Sequence, residues 1–262
     1  MKLGLGLGFR GFSGGGASFS PLDIPDLALW LDASDASTIT EAGGAVSQWD
    51  DLSGNANHEI QNVGSAQPTT GVATINGNNA IDFDGVNDYM VTSSRIINTP
   101  KPMTLIWAGK VNNPSPSSFS GRLFSERSGS GPILMTNSAG GIDFLWVGGG
   151  TNLEVRSNDN LLDTINPHVV MFRWDGSNAA SNAQIYIDGV EVTYKTLVNG
   201  VALANSNGPG IGIGASAGGS TSTVIDAFFA NAGIVLREIT DNEANDLGSY
   251  LANRMGISWT NI

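Results

Sequence analysis

Carboxylate and amide side chains crowd two short stretches of the sequence, and oxygen-rich loops of this kind can bind a metal ion or a sugar. The candidate ligand-binding residues of the two stretches are Asn55, Asn57, Asp84, Asn87, Asp88 and Tyr89. Calcium takes oxygen ligands from Asp, Asn and backbone carbonyls. Asp84 and Asp88 are therefore predicted as a calcium site, and calcium is the only cofactor that the sequence suggests. The alternative is that Asp-Gly and Asn-Asp pairs form turns without a ligand.

Three aromatic residues could provide a surface on which a sugar ring stacks. They are Tyr89, Trp49 and Trp146. A tyrosine or tryptophan ring offers a broad apolar face with a polar edge, which suits a ligand that is itself amphipathic. Burial in a hydrophobic core is the competing interpretation for the two tryptophans.

Catalytic patterns are weak throughout the sequence. Glycosidases need two carboxylates that flank the scissile bond, and Asp82 and Asp84 form a pair of acids on one face of a predicted strand. A solvated face opposite apolar neighbours explains that pair without catalysis. The two histidines, His58 and His168, are far apart and lack the spacing of zinc ligands. The sequence therefore predicts a protein that is not an enzyme, with no catalytic residue.

Charge and composition exclude several further classes. The 262 residues carry a net charge of −12 without a run of Lys or Arg, which disfavours binding to nucleic acid. There is no cysteine, so disulfides and zinc–thiolate sites are excluded, and synthesis in the cytosol is expected. The first residues lack the pattern of a signal peptide. No apolar run has the length of a membrane span, so membrane insertion is not expected.

Short apolar runs separated by Gly, Asn and Asp predict many strands joined by tight turns. The predicted strands include Leu27–Asp32, Ile81–Asp84, Met103–Ala108, Val169–Trp174, Ile211–Gly214 and Phe228–Leu236. Asp188-Gly189 lies between two alternating runs and predicts a hairpin with a type I′ turn, because both central residues of that turn need positive φ. The sequence therefore predicts an all-β fold.

One segment near the end of the chain has the pattern of a helix. Thr240 and Glu243 match a capping box, and apolar residues follow at intervals of three and four. Gly256 stands where a glycine commonly ends a helix. These features predict one helix over Asp241–Met255.

The first 20 residues differ from the rest and are predicted to be an N-terminal arm, with residues 21–262 forming the globular domain. Leucine alternates with glycine, and a glycine-rich linker follows. In an extended arm, alternate side chains lie on one face and could dock on a partner. The predicted anchoring residues are Leu3, Leu5, Leu7, Phe9 and Phe12.

Several segments, in their order and spacing, resemble the concanavalin A-like lectin/glucanase superfamily in its laminin-G-like jelly-roll branch. The matching segments are residues 29–35, 49–58, 81–89, 185–190, 238–243 and 250–252. The resemblance implies an antiparallel two-sheet jelly-roll sandwich. Glucanases of this superfamily often carry Glu-x-Asp-x-x-Glu on one strand, and none of the seven glutamates begins that pattern. The resemblance therefore favours binding or display over catalysis.

A glycine-rich arm on such a sandwich is similar to structural proteins of tailed phages. The first hypothesis is a non-catalytic virion protein, a head or tail decoration made in the host cytoplasm that forms a homo-oligomer within the assembly. Residues 1–20 would bind other virion proteins of the capsid or tail, and the lectin-like sandwich would face outward for adhesion to a cell-surface glycan. The alternatives are a free carbohydrate-binding lectin module and a glycoside hydrolase with an unusual active site.

Overall fold

A computed structural model describes residues 19–114, 121–126 and 129–262 of the chain. These residues form one α-helix, α1 (Asp241–Met255), and eighteen β-strands. In chain order the strands are β1 (Leu27–Asp32), β2 (Ile39–Ala42), β3 (Ala45–Trp49), β4 (Glu59–Ile60), β5 (Thr69–Ile75), β6 (Asn78–Asp84), β7 (Met90–Thr92), β8 (Met103–Asn113), β9 (Arg122–Ser125), β10 (Gly131–Thr136), β11 (Ile142–Val147), β12 (Leu153–Ser157), β13 (His168–Trp174), β14 (Ala183–Ile187), β15 (Val190–Glu191), β16 (Tyr194–Val198), β17 (Gly212–Gly214) and β18 (Asp226–Val235).

The first sheet is built around β18, which is paired along its whole length. Its order is β5–β6–β18–β8–β13–β14–β15, and β1 continues from β6 along the same edge of β18. The β14–β15 hairpin turns at Asp188 and Gly189, whose φ angles are +54° and +84°. Positive φ at both positions is the requirement of the predicted type I′ turn, and that prediction is confirmed.

The second sheet has the order β16–β12–β11–β10–β9–β17–β7–β4–β3–β2. Every strand pair in both sheets is antiparallel. A single pairing, Ala45 with Thr69, joins β3 of this sheet to β5 of the first. The all-β antiparallel sandwich predicted from the sequence, with one C-terminal helix, is confirmed.

The main hydrophobic core lies between the two sheets and is rich in aromatic rings. Phe144 of the second sheet stacks on Phe172 of the first, with 3.9 Å between ring centroids. Trp146 and Trp174 make a second contact across the sandwich at 5.6 Å. Trp146 and Trp49 are both completely buried in this core. The core interpretation of these two tryptophans is therefore confirmed, and neither is available to stack on a ligand.

Helix α1 covers the outer face of the first sheet. Its buried side chains, which include Leu247 and Leu251, pack with outward-facing sheet residues such as Ile106 and Met171. The capping box and the left-handed Gly256, with φ of +73°, are both present, so the predicted bounds of the helix are confirmed. Among the described residues, no helix has the length and apolar character that crossing a membrane requires.

The described chain begins beside this helix. The Phe19 ring makes an edge contact with Tyr250 of α1, with 6.0 Å between centroids. Ser20 caps the short 3-10 turn that starts at Pro21. The last two residues of the predicted arm therefore contact the globular domain. The five predicted anchoring residues, Leu3, Leu5, Leu7, Phe9 and Phe12, lie outside the described residues.

Candidate functional site

The loop after β6 uses its acidic side chains to bind its own backbone. The Asp84 carboxylate accepts a hydrogen bond from the Val86 amide at 2.8 Å, and the Asp88 carboxylate accepts one from the Asp84 amide at 3.1 Å. The Asn87 amide donates to the carbonyl of Ser65 in the neighbouring loop. The two aspartates thus close the turn on its own backbone, and Asn87 ties it to the neighbouring loop.

This arrangement gives the predicted calcium site no support. Across the described parts of the chain, no three His, Asp or Glu side chains converge so that they could hold a metal ion. Burial is the main cause that raises the pKa of Asp88 to about 7, and the nearby Asp84 and Asp82 carboxylates raise it further. A carboxyl group that is only partly ionised at neutral pH is a weak ligand for a divalent cation.

The second predicted loop, after β3, is tied to strand β1. Asn55 donates to the carbonyl of Leu27 and Asn57 to that of Ala28, both at 2.8 Å. The Asn57 side-chain oxygen also accepts a hydrogen bond from Ser94 at 3.0 Å. Both polar ends of Asn57 are thus engaged within the protein, where they fix the loop rather than face a ligand.

Tyr89, the remaining predicted residue, lines an open cleft on the outer face of the second sheet. We call it the Tyr89 cleft; its volume is about 370 Å³, and its lining consists of Ile60, Gln61, Asn62, Val63, Tyr89, Val91, Ser93 and Ala217. Val91 and Ile60 lie opposite each other in the β4–β7 register. The neighbouring Met90 points into the core, so alternation along β7 directs Tyr89, Val91 and Ser93 outward.

The Tyr89 ring is held in place from one side by a tight turn. Gly219 has φ of +67°, and a Cβ added there would lie 2.6–2.7 Å from atoms of the Tyr89 ring and from its hydroxyl oxygen. The Gly219 amide donates to the carbonyl of Ser216 at 2.7 Å, which closes the turn. Glycine is required here because any side chain would meet the ring and would also strain the backbone.

The backbone of Tyr89 is braced as well. Its carbonyl accepts a hydrogen bond from the Gln61 side chain at 2.8 Å, and the Gln61 oxygen accepts the Val63 amide at 2.9 Å. The Tyr89 amide donates to the carbonyl of Ala66 at 3.3 Å. The ring therefore sits on a frame that is formed by two loops and is fixed before any ligand arrives.

Three polar side-chain groups of the cleft remain unpaired. The Asn62 amide, the Ser93 hydroxyl and the Tyr89 hydroxyl form no hydrogen bond with any described residue, and Asn62 and Ser93 are exposed. Asn supplies two donors and an acceptor, and each hydroxyl supplies one donor and two lone pairs. Beside an aromatic ring and the apolar Val63 and Val91, these groups can bind a small polar ligand with an apolar face.

The sequence predicts Tyr89 as a binding residue, but it does not predict the other residues that form the cleft with it. Asn62, Ser93 and Gly219 are separated from Tyr89 by between 4 and 130 positions, and none of them belongs to a motif. A signal existed only at Ser93, because alternation from Tyr89 through Val91 places it on the same face. The β4–β7 register and the turn at Gly219 had to be known before the cleft could be assembled.

Two buried glutamates lie inside the sandwich, away from the cleft. Glu59 on β4 and Glu126 just after β9 are completely buried, and none of their carboxyl oxygens has a hydrogen-bond partner among the described residues. Burial raises the pKa of Glu126 to about 8, against the smaller opposing effects of the nearby Ser206 hydroxyl and of the charges on Arg95 and Lys101. Burial is the main cause that raises the pKa of Glu59 well above its usual range, and the negative charge of Asp51 raises it further.

These glutamates are not placed as a pair. Strands β7 and β17 lie between β4 and β9 in the second sheet, so three strand spacings of about 4.8 Å put Glu59 and Glu126 about 14 Å apart. Glycosidase carboxylates are separated by only about 5–9.5 Å. The predicted pair Asp82 and Asp84 lies on the outer face of the first sheet, where burial and then Asp226 raise the pKa of Asp82.

The histidines also serve as hydrogen-bonding residues. His58 accepts the Asp51 amide at 3.1 Å through Nδ1. His168 lies on β13, where its Nδ1 contacts the Asp188 carboxylate at 2.7 Å. His168 is buried at the start of strand β13.

Comparisons with known proteins show what this fold resembles. No family model matches the sequence, and no curated protein gives a significant match. Among solved structures, the binding domain of Paraclostridial Mosquitocidal Protein 1 aligns with a TM-score of 0.64 at 11% identity, over 87% of this chain and 53% of that one. The ligand-binding domain of botulinum neurotoxin serotype D, in complex with N-acetylneuraminic acid, aligns with a TM-score of 0.59 at 12% identity, over 86% and 51%.

A third structure, Trypanosoma rangeli sialidase in complex with sialic acid, aligns with a TM-score of 0.55 at 14% identity, over 89% of this chain and 34% of that one. The chain thus spans about half the length of the two toxin chains and about a third of the sialidase. At these identities the likeness establishes a shared β-sandwich fold and nothing about a ligand.

Proposed function

We propose that the protein is a non-catalytic carbohydrate-binding sandwich whose Tyr89 cleft holds a glycan. The observation that carries the proposal is the fixed Tyr89 ring, with the unpaired Asn62 amide and Ser93 hydroxyl in the same cleft. A sugar ring has an apolar face of C–H groups and an edge of hydroxyls. The tyrosine matches the first and the amide and hydroxyl match the second.

The fold is compatible with this proposal. A sandwich of the same architecture occurs in the neurotoxin domain that was solved with N-acetylneuraminic acid. The sugar complex is a property of the neurotoxin domain, and it indicates only that a sandwich of this kind can present a sugar site. The proposal for this protein is therefore based on the side chains of the Tyr89 cleft.

The lack of catalysis is also part of the proposal. The lining of the cleft includes no acidic side chain, whereas glycoside hydrolysis uses two carboxylates beside the scissile bond. Asp143 and Glu154, which both contact Arg156 on neighbouring strands, are another pair of acids that lie together, and Asp143 is almost completely buried. Glu154 is partly exposed, but a substrate could not reach the Asp143 carboxylate in the described conformation.

The test is binding to an array of immobilised glycans, followed by calorimetric titration with any glycan that binds. Tyr89→Ala is expected to weaken binding by about tenfold or more, whereas Tyr89→Phe, which keeps the ring, retains most of it. Tyr250→Ala, on α1 and the opposite face, is the matched control. Binding that survives Tyr89→Ala in a protein with an unchanged circular dichroism spectrum would refute the site.

We also propose that the N-terminal arm anchors the sandwich in a virion, as a head or tail protein in several copies. The alternation of Leu3, Leu5, Leu7 and Phe9 supports an extended arm that docks on a partner. The described chain begins at Phe19, which lies beside α1 on the outer face of the first sheet. The Tyr89 cleft lies on the outer face of the second sheet. Attachment through the arm would thus leave the cleft free.

Removal of residues 1–18 tests the anchor. The truncated chain keeps Phe19 and the Ser20 cap, so it is expected to fold and remain in solution. It should fail to join the assembly that the full chain joins. If the truncated protein is incorporated at the normal copy number, the arm is not the anchor, and a free lectin module becomes the better hypothesis.

A further inference from the structure

We infer that the Tyr89 cleft selects uncharged sugars and discriminates against sialic acid, uronic acids and other anionic glycans. This inference rests on the proposed function and adds the chemical class of the ligand. It comes from the complete lining of the cleft and from the charges around it.

No lining residue of the cleft carries a charge. Four residues are apolar, namely Ile60, Val63, Val91 and Ala217, and the polar ones are Gln61, Asn62, Tyr89 and Ser93. A bound carboxylate loses water and needs a cation or several aligned N–H donors in exchange, otherwise the desolvation cost remains. The cleft offers one free amide, because the Gln61 side chain is already committed to Tyr89 and Val63.

The nearest cationic side chain along the chain from Ser93 is also committed elsewhere. Arg95 donates from Nε to the carbonyl of Gly208 at 2.8 Å and lies 3.6 Å from the Glu126 carboxylate. Its guanidinium is thus drawn toward the loop at residues 206–210 and is not part of the cleft lining.

The protein as a whole is acidic. Its net charge is −12, and the lining of the cleft adds no cation against that background. Such a field lowers the local concentration of anions and slows their association. An acidic glycan would find no positive charge inside the cleft and would be repelled by the negative charge of the protein. A neutral sugar experiences neither effect.

A similar fold does not imply a similar ligand. The botulinum domain solved with N-acetylneuraminic acid shares the sandwich at 12% identity. A shared fold leaves the ligand to the side chains of each site, and here those side chains favour a neutral glycan.

The experiment uses pairs of ligands that differ only by a carboxylate. The full chain is titrated with methyl β-glucoside and methyl β-glucuronide, and with the corresponding galactoside and galacturonide, while amide chemical shifts are followed by NMR; free N-acetylneuraminic acid is a fifth probe. In at least one pair, the neutral member is expected to bind about tenfold or more tightly than the acidic member. Tyr89→Ala should abolish that binding.

A charge variant tests the cause. Asn62→Arg places a cation in the cleft and is expected to reduce or reverse the preference within the pair, whereas Asn62→Gln, with a longer neutral amide, keeps the preference for the neutral sugar. Anionic members that bind the wild-type cleft as tightly as neutral ones, in a manner lost in Tyr89→Ala, would overturn this inference and leave the proposed function standing. If neither class binds, or if binding ignores Tyr89→Ala, the proposed function fails and the inference fails with it.

Discussion

The buried Glu126 should make the protein less stable as pH rises from about 4.5 to about 8. Its side chain is completely buried, its oxygens lack hydrogen-bond partners among the described residues, and burial raises its pKa to about 8. In the unfolded chain the same carboxyl ionises near its ordinary value of 4.5. Between these two values the unfolded state binds fewer protons than the folded state, so the free energy of unfolding falls as pH rises.

The size of the effect follows from proton linkage. Each pH unit in this window lowers the free energy of unfolding by about 1.4 kcal/mol for one such group. By pH 7 the accumulated loss from Glu126 is about 3 kcal/mol, a large share of the about 5–15 kcal/mol that stabilises a typical domain. Glu126→Gln removes the titration, so the variant should become more stable than the wild type as pH rises.

Urea denaturation followed by circular dichroism at pH 4.5, 5.5, 6.5 and 7.5 measures this. The side-chain amide that the Glu126→Gln substitution introduces would have its own unmet hydrogen bonds. Their cost changes the free energy of unfolding of the variant by the same amount at all four pH values. The way in which the difference between variant and wild type changes with pH therefore still reports the titration of Glu126. Glu191→Gln, at an exposed position on β15, is the matched control. If the difference between Glu126→Gln and wild type stays constant, or moves in favour of the wild type, Glu126 is ionised beside Arg95 in the folded state and the reasoning is wrong.

Three further predictions concern the cleft, the helix and the metal. Gly219→Ala should displace the Tyr89 ring and lower glycan affinity, measured by titration, whereas Gly218→Ala, with open space at its Cβ position, should have no effect. Thr240→Ala removes the helix cap and should lower the free energy of unfolding by about 0.5–2 kcal/mol in a urea titration; an unchanged midpoint would contradict the capping contact. Millimolar calcium should leave the melting temperature unchanged, and a rise that Asp88→Asn abolishes would restore the predicted calcium site.

Local chemistry made some elements of this fold predictable. Helix α1 follows from its capping box and from Gly256, and the β14–β15 hairpin follows from Asp188-Gly189, because each signal lies within a few residues of the structure that it specifies. Strand β1 was found with its bounds because turn residues flank a short apolar run.

Strands β9 to β11 are not predicted because their burial does not alternate, whereas β12, whose burial does alternate, is simply absent from the prediction. Leu134 and Phe144 face the core, while Ile133 and Leu145 on the opposite face are also buried. Buried residues on both faces remove the period of two on which strand prediction depends. The candidate site was missed for a related reason, since only the pairing of β4 with β7 brings Ile60 opposite Val91, and strand pairing between distant segments is not encoded locally.

The opposite positions of Phe19 and the Tyr89 cleft have a consequence for many copies acting together. In the proposed virion anchor, a surface that holds the domains by their N-terminal side would present every cleft in the same outward direction. Neighbouring clefts can then engage one glycan-coated surface at the same time, and the second attachment becomes an intramolecular event at millimolar effective concentration. Under the proposed function, avidity would exceed the affinity of a single cleft by about 10²–10⁴, so a shallow site with few polar contacts would be enough for adhesion.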